Sequence, residues 1–160
     1  MLVDSHCHLD YLQRDGRDLN EVVAAAQRAG VGTLVTICTK VREFNVIRGI
    51  ADAHDEVWCT VGIHPHEAEK EPEVTTEQLV DFAQHPKVVG IGETGLDYFY
   101  EHSPRDIQKR SFRAHIAASR ETGLPLIVHT RDADEDTAAI LEEEYAKGPF
   151  TGVLHCFSGG

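Results

Sequence analysis

The chain has no apolar run longer than a few residues. A bilayer-spanning helix needs about 20 consecutive apolar positions, so none is expected. The N-terminus also lacks the basic flank and long apolar core of a signal peptide, and a cytosolic, membrane-free protein is expected. The four cysteines, Cys7, Cys38, Cys59 and Cys156, form no C-x-x-C pair. That spacing excludes a zinc ribbon and a disulfide framework, and it suits small core thiols in a reducing compartment. Positive charge is scarce: 15 Lys and Arg face 27 Asp and Glu, for a formal net charge of -12. Such a surface repels polyphosphate and excludes a broad electrostatic footprint on duplex nucleic acid. Bound cations would reverse the field locally, so the charge limits the mode of binding and not the chemistry. No G-x-G-x-x-G follows the first apolar stretch, which removes the main support for a dinucleotide-binding sheet.

What is present is a regular alternation over 160 residues, read as one domain spanning 1–160. Short Val/Ile-rich runs at 2–4, 33–37, 57–61, 88–92, 126–128 and 152–154 predict strands. Amphipathic stretches near 18–30, 43–54, 75–84, 104–122 and 132–146 predict helices between them. Thr75 is placed to cap the third helix, Ser103 with Pro104 to start the fourth, and Gly30 and Gly123 to close the first and fourth. The polar stretch "EKEPEVTTEQ" reads as a solvated lead into the third helix. Alternating buried strands and helices mean parallel βα units, and their regular repeat favours a barrel over an open doubly wound sheet.

Chemistry gathers at the carboxyl ends of these strands. His6 and His8, in "SHCHLD", lie two residues apart, and in a strand both imidazoles point to one side, which is a chelating geometry. Cys7 between them faces away. Glu93 follows "VVGIG", His129 follows "LIV" and His155 follows "GVL". Each alone has a structural explanation: an arginine partner for Glu93, a satisfied core imidazole for His129, a loop-mouth stack for His155. In a barrel, however, the strand ends share one face, so the five converge. They are too many for one four-coordinate ion and suit two cations sharing a carboxylate. Imidazole ligands alone point to Zn²⁺ or Mn²⁺ over Mg²⁺.

"DSHCHLD", "GIHPHEA", "GETGLDY", "IVHTRDA" and "LHCFSG" resemble, in order and spacing, the motifs of the TatD family of metal-dependent deoxyribonucleases, within the amidohydrolase-like barrel superfamily. The resemblance runs the whole chain. It implies a (β/α)8 TIM-type barrel, of which about six of eight βα units are present here. It also implies two divalent ions, with His6, His8 and Glu93 for one and Glu93, His129 and His155 for the other, and Glu93 as the catalytic bridging carboxylate. The implied activity is a 3′-to-5′ exonuclease on single-stranded or frayed DNA, often Mg²⁺-dependent, in DNA repair or degradation.

Three further residues are candidates for substrate contact. His64, in "GIHPH", is placed to meet a phosphate or a group at the ions, while His66 reads as loop surface. Arg131 aims at a phosphate or pairs with Asp97 or Asp132, and Tyr98 stacks on a base or packs. His54, His85, His102 and His115 show no ligand pattern. Two rivals stay open: an amidohydrolase cleaving C–N or lactone bonds, disfavoured because Glu93 stands where such enzymes commonly use a carboxylated lysine, and an inactive metal-binding fragment. A barrel of this type takes about 250 residues. The family pattern also calls for an aspartate after the eighth strand. The chain is therefore expected to be part of a longer enzyme, to hydrolyse DNA poorly alone, and to expose strand edges that a partner chain could complete.

Overall fold

The structure, a computed structural model, describes residues 1–157. Ser158 and Gly159 of the "LHCFSG" motif lie outside the described residues. Strands β1 (Leu2–Cys7), β2 (Val31–Thr36), β3 (Val57–Val61), β4 (Val88–Asp97), β5 (Leu126–Arg131) and β6 (Gly152–Leu154) form one sheet in chain order, and every neighbouring pair is parallel. Helices α1 (Leu9–Arg14), α2 (Leu19–Arg28), α3 (Phe44–Ala53), α4 (Thr76–Ala83), α5 (Arg105–Thr122) and α6 (Asp134–Tyr145) supply the crossovers. β1 and β6 occupy the two edges, where Leu2, Val3, Val153 and Leu154 are exposed.

The sheet curls strongly. In a flat sheet the first and sixth strands would stand roughly 24 Å apart, five strand spacings. Instead the rings of His6, in β1, and His155, just beyond β6, stack with centroids 3.4 Å apart and 7° between their planes. This is the curvature of a barrel wall, and it matches six βα units of the expected (β/α)8 architecture.

The central strands are buried on both faces, which explains why they read as continuous apolar runs rather than alternating ones. On β3 every residue but Trp58 is buried, and Ile91 and Leu126 on the neighbouring strands are inaccessible. Phe112 and Ile116 of α5 join the same core.

Three local readings are corrected. β4 runs to Asp97 instead of stopping at Gly92, because an irregularity between Gly92 and Thr94 lets pairing with β5 resume beyond Glu93. Gly90, Gly92 and Gly95 do spell G-x-G-x-x-G, but inside a strand and not at a strand-to-helix turn, so they form no phosphate cradle. Their use is close approach: Gly95 sits at φ +136°, and a Cβ there would lie 2.0 Å from the His129 carbonyl oxygen. α5 begins at Arg105 with Pro104 as its uncapped N-cap, whereas the Ser103 hydroxyl accepts from Glu69 N–H at 3.1 Å and donates to the His66 carbonyl at 3.3 Å. Within the polar lead, Glu71 is not solvated: its carboxylate accepts from Val41 N–H at 2.8 Å and pairs with Arg42. α1 was not legible at all, being a single six-residue stretch that buries only Leu9 and Asp10. The other caps hold as read: Thr75 and Gln78 form a reciprocal capping box, and Gly123 ends α5 at φ +72°.

One buried histidine fixes the approach to the site. His115 on α5 is inaccessible; its Nε2 accepts from Ile63 N–H at 3.0 Å and its Nδ1–H donates to the Ser111 carbonyl at 2.7 Å. Both ring nitrogens are used only by the neutral form. Burial pushes the imidazole from its ordinary 6.5 down to about 4. Between those values the unfolded chain takes up a proton that the folded chain refuses, so stability falls as pH drops through this window. The loss amounts to about 3 kcal/mol by pH 4. Urea unfolding at pH 7.5 and pH 5 should therefore show a smaller pH dependence in His115→Leu than in the parent chain, and an unchanged difference would remove His115 as the cause.

Candidate metal centre

Irregular pairing aims the polar residues of β1 and β4 into the mouth of the curl. Gly92 pairs with Ile127 and Thr94 with Val128, leaving Glu93 as an extra residue, and such bulges re-aim a side chain. Glu93 N–H leaves the sheet ladder and donates to the Cys38 carbonyl at 3.0 Å. On β1 a second shift separates the Asp4–Leu34 and Cys7–Thr36 pairs, and His6 falls within it. Cys7 faces away from the cleft and packs against the core, its thiol donating to the Val35 carbonyl at 3.4 Å.

The two oxygens of Glu93 face two different groups of imidazoles. Oε2 lies 3.4 Å from His6 Nε2, while Oε1 lies 3.2 Å from His129 Nδ1 and 3.8 Å from His64 Nε2. Among the described residues, two sets of three potential ligands have donor atoms within 4.8 Å of one another: His6, His8 and Glu93, and His64, Glu93 and His129. Glu93 belongs to both. His6 Nε2 and His8 Nδ1 are buried with no hydrogen-bond partner, an expensive state for polar atoms unless something else engages them. Three-donor sets of imidazole and carboxylate, two of whose ring nitrogens have no hydrogen-bond partner among the described residues, fit divalent cations.

Electrostatics agree with that fit. Burial works to raise the Glu93 carboxyl, but hydrogen bonding from His129 and the nearness of His6 and His64 hold it far below the usual carboxylate range. The Glu93 side chain is thus an anion at 3% exposure. Burial pushes His64 down to about 3, and it lowers His8 and His155 as well, so all three rings favour the neutral form.

Asp97, fully buried, organises the rest of the cleft. Its Oδ2 lies 2.9 Å from His66 Nε2 and 2.9 Å from His129 Nε2, and its Oδ1 accepts from Phe99 N–H at 3.1 Å and Tyr100 N–H at 2.9 Å. With Nε2 engaged by Asp97, Nδ1 of His129 is the nitrogen turned to Glu93. Burial opposes a charge on His129, yet the two carboxylates prevail and raise its pKa.

The family profile described as "TatD related DNase" matches residues 3–160. The chain belongs to the TatD family. It is 39% identical over 159 residues to the uncharacterized metal-dependent hydrolase YabD of Bacillus subtilis, covering 99% of this chain and 62% of that protein. It is 36% identical over 143 residues to the 3′-5′ ssDNA/RNA exonuclease TatD of Escherichia coli K12, covering 89% of this chain and 55% of that protein. Among solved structures, the TatD homologue YJJV of Escherichia coli K12 superimposes with a TM-score of 0.88 at 30% identity, over 99% of this chain and 61% of that one. A lactonase from Listeria monocytogenes, at 20% identity and a TM-score of 0.54, shares the fold alone. The chain thus spans about 60% of the length of the curated relatives it matches.

Against this TatD-family background the placement of each expected residue is clear. His6, His8, His64, Glu93, His129, Arg131 and His155 all line one cleft of about 540 Å³. His155 stacks on His6 instead of entering the group of Glu93 and His129, and His64 takes that place. Tyr98 does not reach the cleft: its hydroxyl donates to Asp136 Oδ2 at 2.6 Å and Arg105 covers its ring at 4.0 Å. Arg131 pairs with neither Asp97 nor Asp132 and lies over Phe99 and Tyr100. His66, read from sequence as loop surface, is a cleft residue; its spacing of two from His64 in "HPH" was the available signal, repeating the His6–His8 pattern. Asp97 was seen only as a partner for Arg131.

Two outcomes follow for metal titration by calorimetry. Glu93→Gln should weaken uptake of Mn²⁺ or Zn²⁺ by both donor groups, whereas His64→Ala should affect one; equal losses would contradict the sharing of Glu93. Asp97→Asn, which removes the charge that orients His129, should lower affinity at one site by about 10- to 100-fold, and unchanged affinity would show that His129 is held by other means.

Proposed function

We propose that the chain carries most of the catalytic face of a divalent-metal-dependent phosphodiester hydrolase that removes nucleotides in the 3′-to-5′ direction from single-stranded DNA ends. The observation that carries the reading is the Glu93 carboxylate with one oxygen toward each group of imidazoles. His6, His8 and Glu93 would hold one ion, and Glu93 and His129 the other. His64 is the third member of the second group by position and would hold an ion there by releasing its His66 contact and moving its proton to Nδ1, while His155 is the third donor by family pattern. When bound, two such ions supply Lewis acidity to a phosphate oxygen and lower the pKa of water. Imidazole donors favour Zn²⁺ or Mn²⁺, and Mg²⁺ is the third candidate.

The chain's own residues account for the remaining demands. Glu93 is already anionic, so no proton has to leave it before cations are held. His64 Nδ1 accepts from His66 N–H at 3.2 Å and the ring is neutral at physiological pH, so its proton sits on the Nε2 turned toward Glu93 Oε1. Lys40 and Arg131 bring positive charge to the lining of a cleft in an otherwise acidic protein, where a phosphate needs it. The exonuclease named among the relatives supports the nucleic-acid substrate. Among the described residues no helix is long and apolar enough to cross a membrane, and the four thiols are unpaired, which supports a cytoplasmic setting.

The test is release of nucleotides from a single-stranded oligonucleotide, with and without a divalent ion, by this chain and by a polypeptide of its relatives' length. Release from the longer chain should require the metal, cease with a chelator and fall at least 100-fold in Glu93→Gln, on the order of 3 kcal/mol in the barrier. The 160-residue chain should be the slower of the two. Faster hydrolysis of lactones or cyclic amides than of phosphodiesters would assign the centre to the other branch of this superfamily.

A further inference from the structure

At the rim of the cleft, β4 hands over to a turn bearing two aromatic residues that the core does not absorb. Phe99 is 55% exposed and Tyr100 50% exposed, although large aromatic side chains usually contribute to burial. Their rings meet edge to face with centroids 4.7 Å apart. The Arg131 guanidinium lies 4.0 Å from the Phe99 centroid and 4.7 Å from the Tyr100 centroid, and among the described residues it has no carboxylate partner. Tyr100 and Arg131 both line the cleft that holds Glu93; Tyr100 also touches His66 edge to face at 5.4 Å and lies parallel to the His102 ring with centroids 5.6 Å apart, yet half of it stays exposed.

This cluster is held in place. Asp97 Oδ1 accepts from the backbone N–H groups of Phe99 and Tyr100, and the next residue, Glu101, adopts φ +45°, a conformation uncommon for a residue with a side chain. The carboxylate that fixes the turn is the one whose other oxygen engages His66 and His129. The aromatic cluster therefore has a set position relative to the candidate metal centre. Tyr98, by contrast, faces Asp136 and Arg105 away from the cleft, so the turn splits its three aromatic residues into one anchor and two exposed rings.

We infer that Tyr100, with Phe99 and Arg131 beside it, is a stacking platform for a nucleobase of a single-stranded nucleic acid whose phosphate lies in the cleft. Exposed rings pinned next to a cationic side chain recognise bases by their faces, independent of sequence, and they require those bases to be unpaired. A duplex interior offers no such face. The platform would thus supply the preference for single strands that a centre reading only phosphates lacks. The inference rests on the nucleic-acid reading above.

The experiment compares equilibrium binding of a fluorescent oligothymidylate with that of an abasic strand of equal length and phosphate number, by anisotropy. A base-reading platform gives the parent chain about tenfold preference for the base-bearing strand. Tyr100→Ala should bring that ratio close to one while the abasic strand binds as before, and Tyr100→Phe should restore it. A ratio retained in Tyr100→Ala, or equal loss of both strands, would overturn the platform. Equal binding of the two strands by the parent chain also overturns it while leaving the phosphodiesterase reading intact. Failure of the parent to bind either strand overturns both.

Discussion

A buried carboxylate in a low-dielectric setting has to be compensated, and among the described residues the side chains that compensate Glu93 are imidazoles. His129, His6 and His64 surround its two oxygens, and none of them carries the permanent charge of an arginine or lysine. Burial holds His64 and His8 in their neutral forms, so their compensation is partial. The consequence is an anion ringed by imidazoles with no permanent positive charge among them, which is a poor arrangement for a folded protein by itself and a good one for receiving cations. The bulge at Glu93, the shifted pairing on β1 and the close backbone approach at Gly95 all serve to place those groups together.

The strand order and the curl follow from signals plain in the sequence. Each βα unit contributes a short Val/Ile-rich run buried on both faces, and parallel pairing with helical crossovers is the stable way to cover such strands. β3 and β6 were legible residue for residue because they end where the apolar run ends. β1, β4 and β5 extend further because the added residues, among them His6, Glu93, Thr94, Asp97 and His129 to Arg131, are mostly polar and signal a loop by composition, although buried Leu96 lies among them. Pairing continues through them since the polar side chains turn into the mouth of the curl while the backbone still meets its neighbours.

The site was legible in part for the same reason. Residues that follow an apolar run at a strand end announce themselves, and His6, His8, Glu93, His129 and His155 were found that way. His66 and Asp97 were not, because neither stands at such a junction by composition: His66 sits in a 3-10 turn spanning Pro65–Lys70, and Asp97 ends a strand read as finished at Gly92. Tyr98 and Tyr100 could not be told apart without knowing which side of the turn each ring takes. Periodicity does not extend into a turn. The hydrogen bonds from Asp97 decide the matter, and those exist only in three dimensions.

The stack of His6 on His155 joins residues almost at opposite ends of the chain. Contacts of such long sequence separation form slowly, since the loop between them must be closed before the contact contributes anything. A partly folded chain therefore holds only pieces of the donor set: the His6–His8 pair can exist with the first strand, but Glu93 needs the fourth and His129 the fifth. The full arrangement of donors appears when the sheet has completed its curl. The cleft therefore depends on every strand of the curled sheet, and a chain that has not curled holds only part of the donor set.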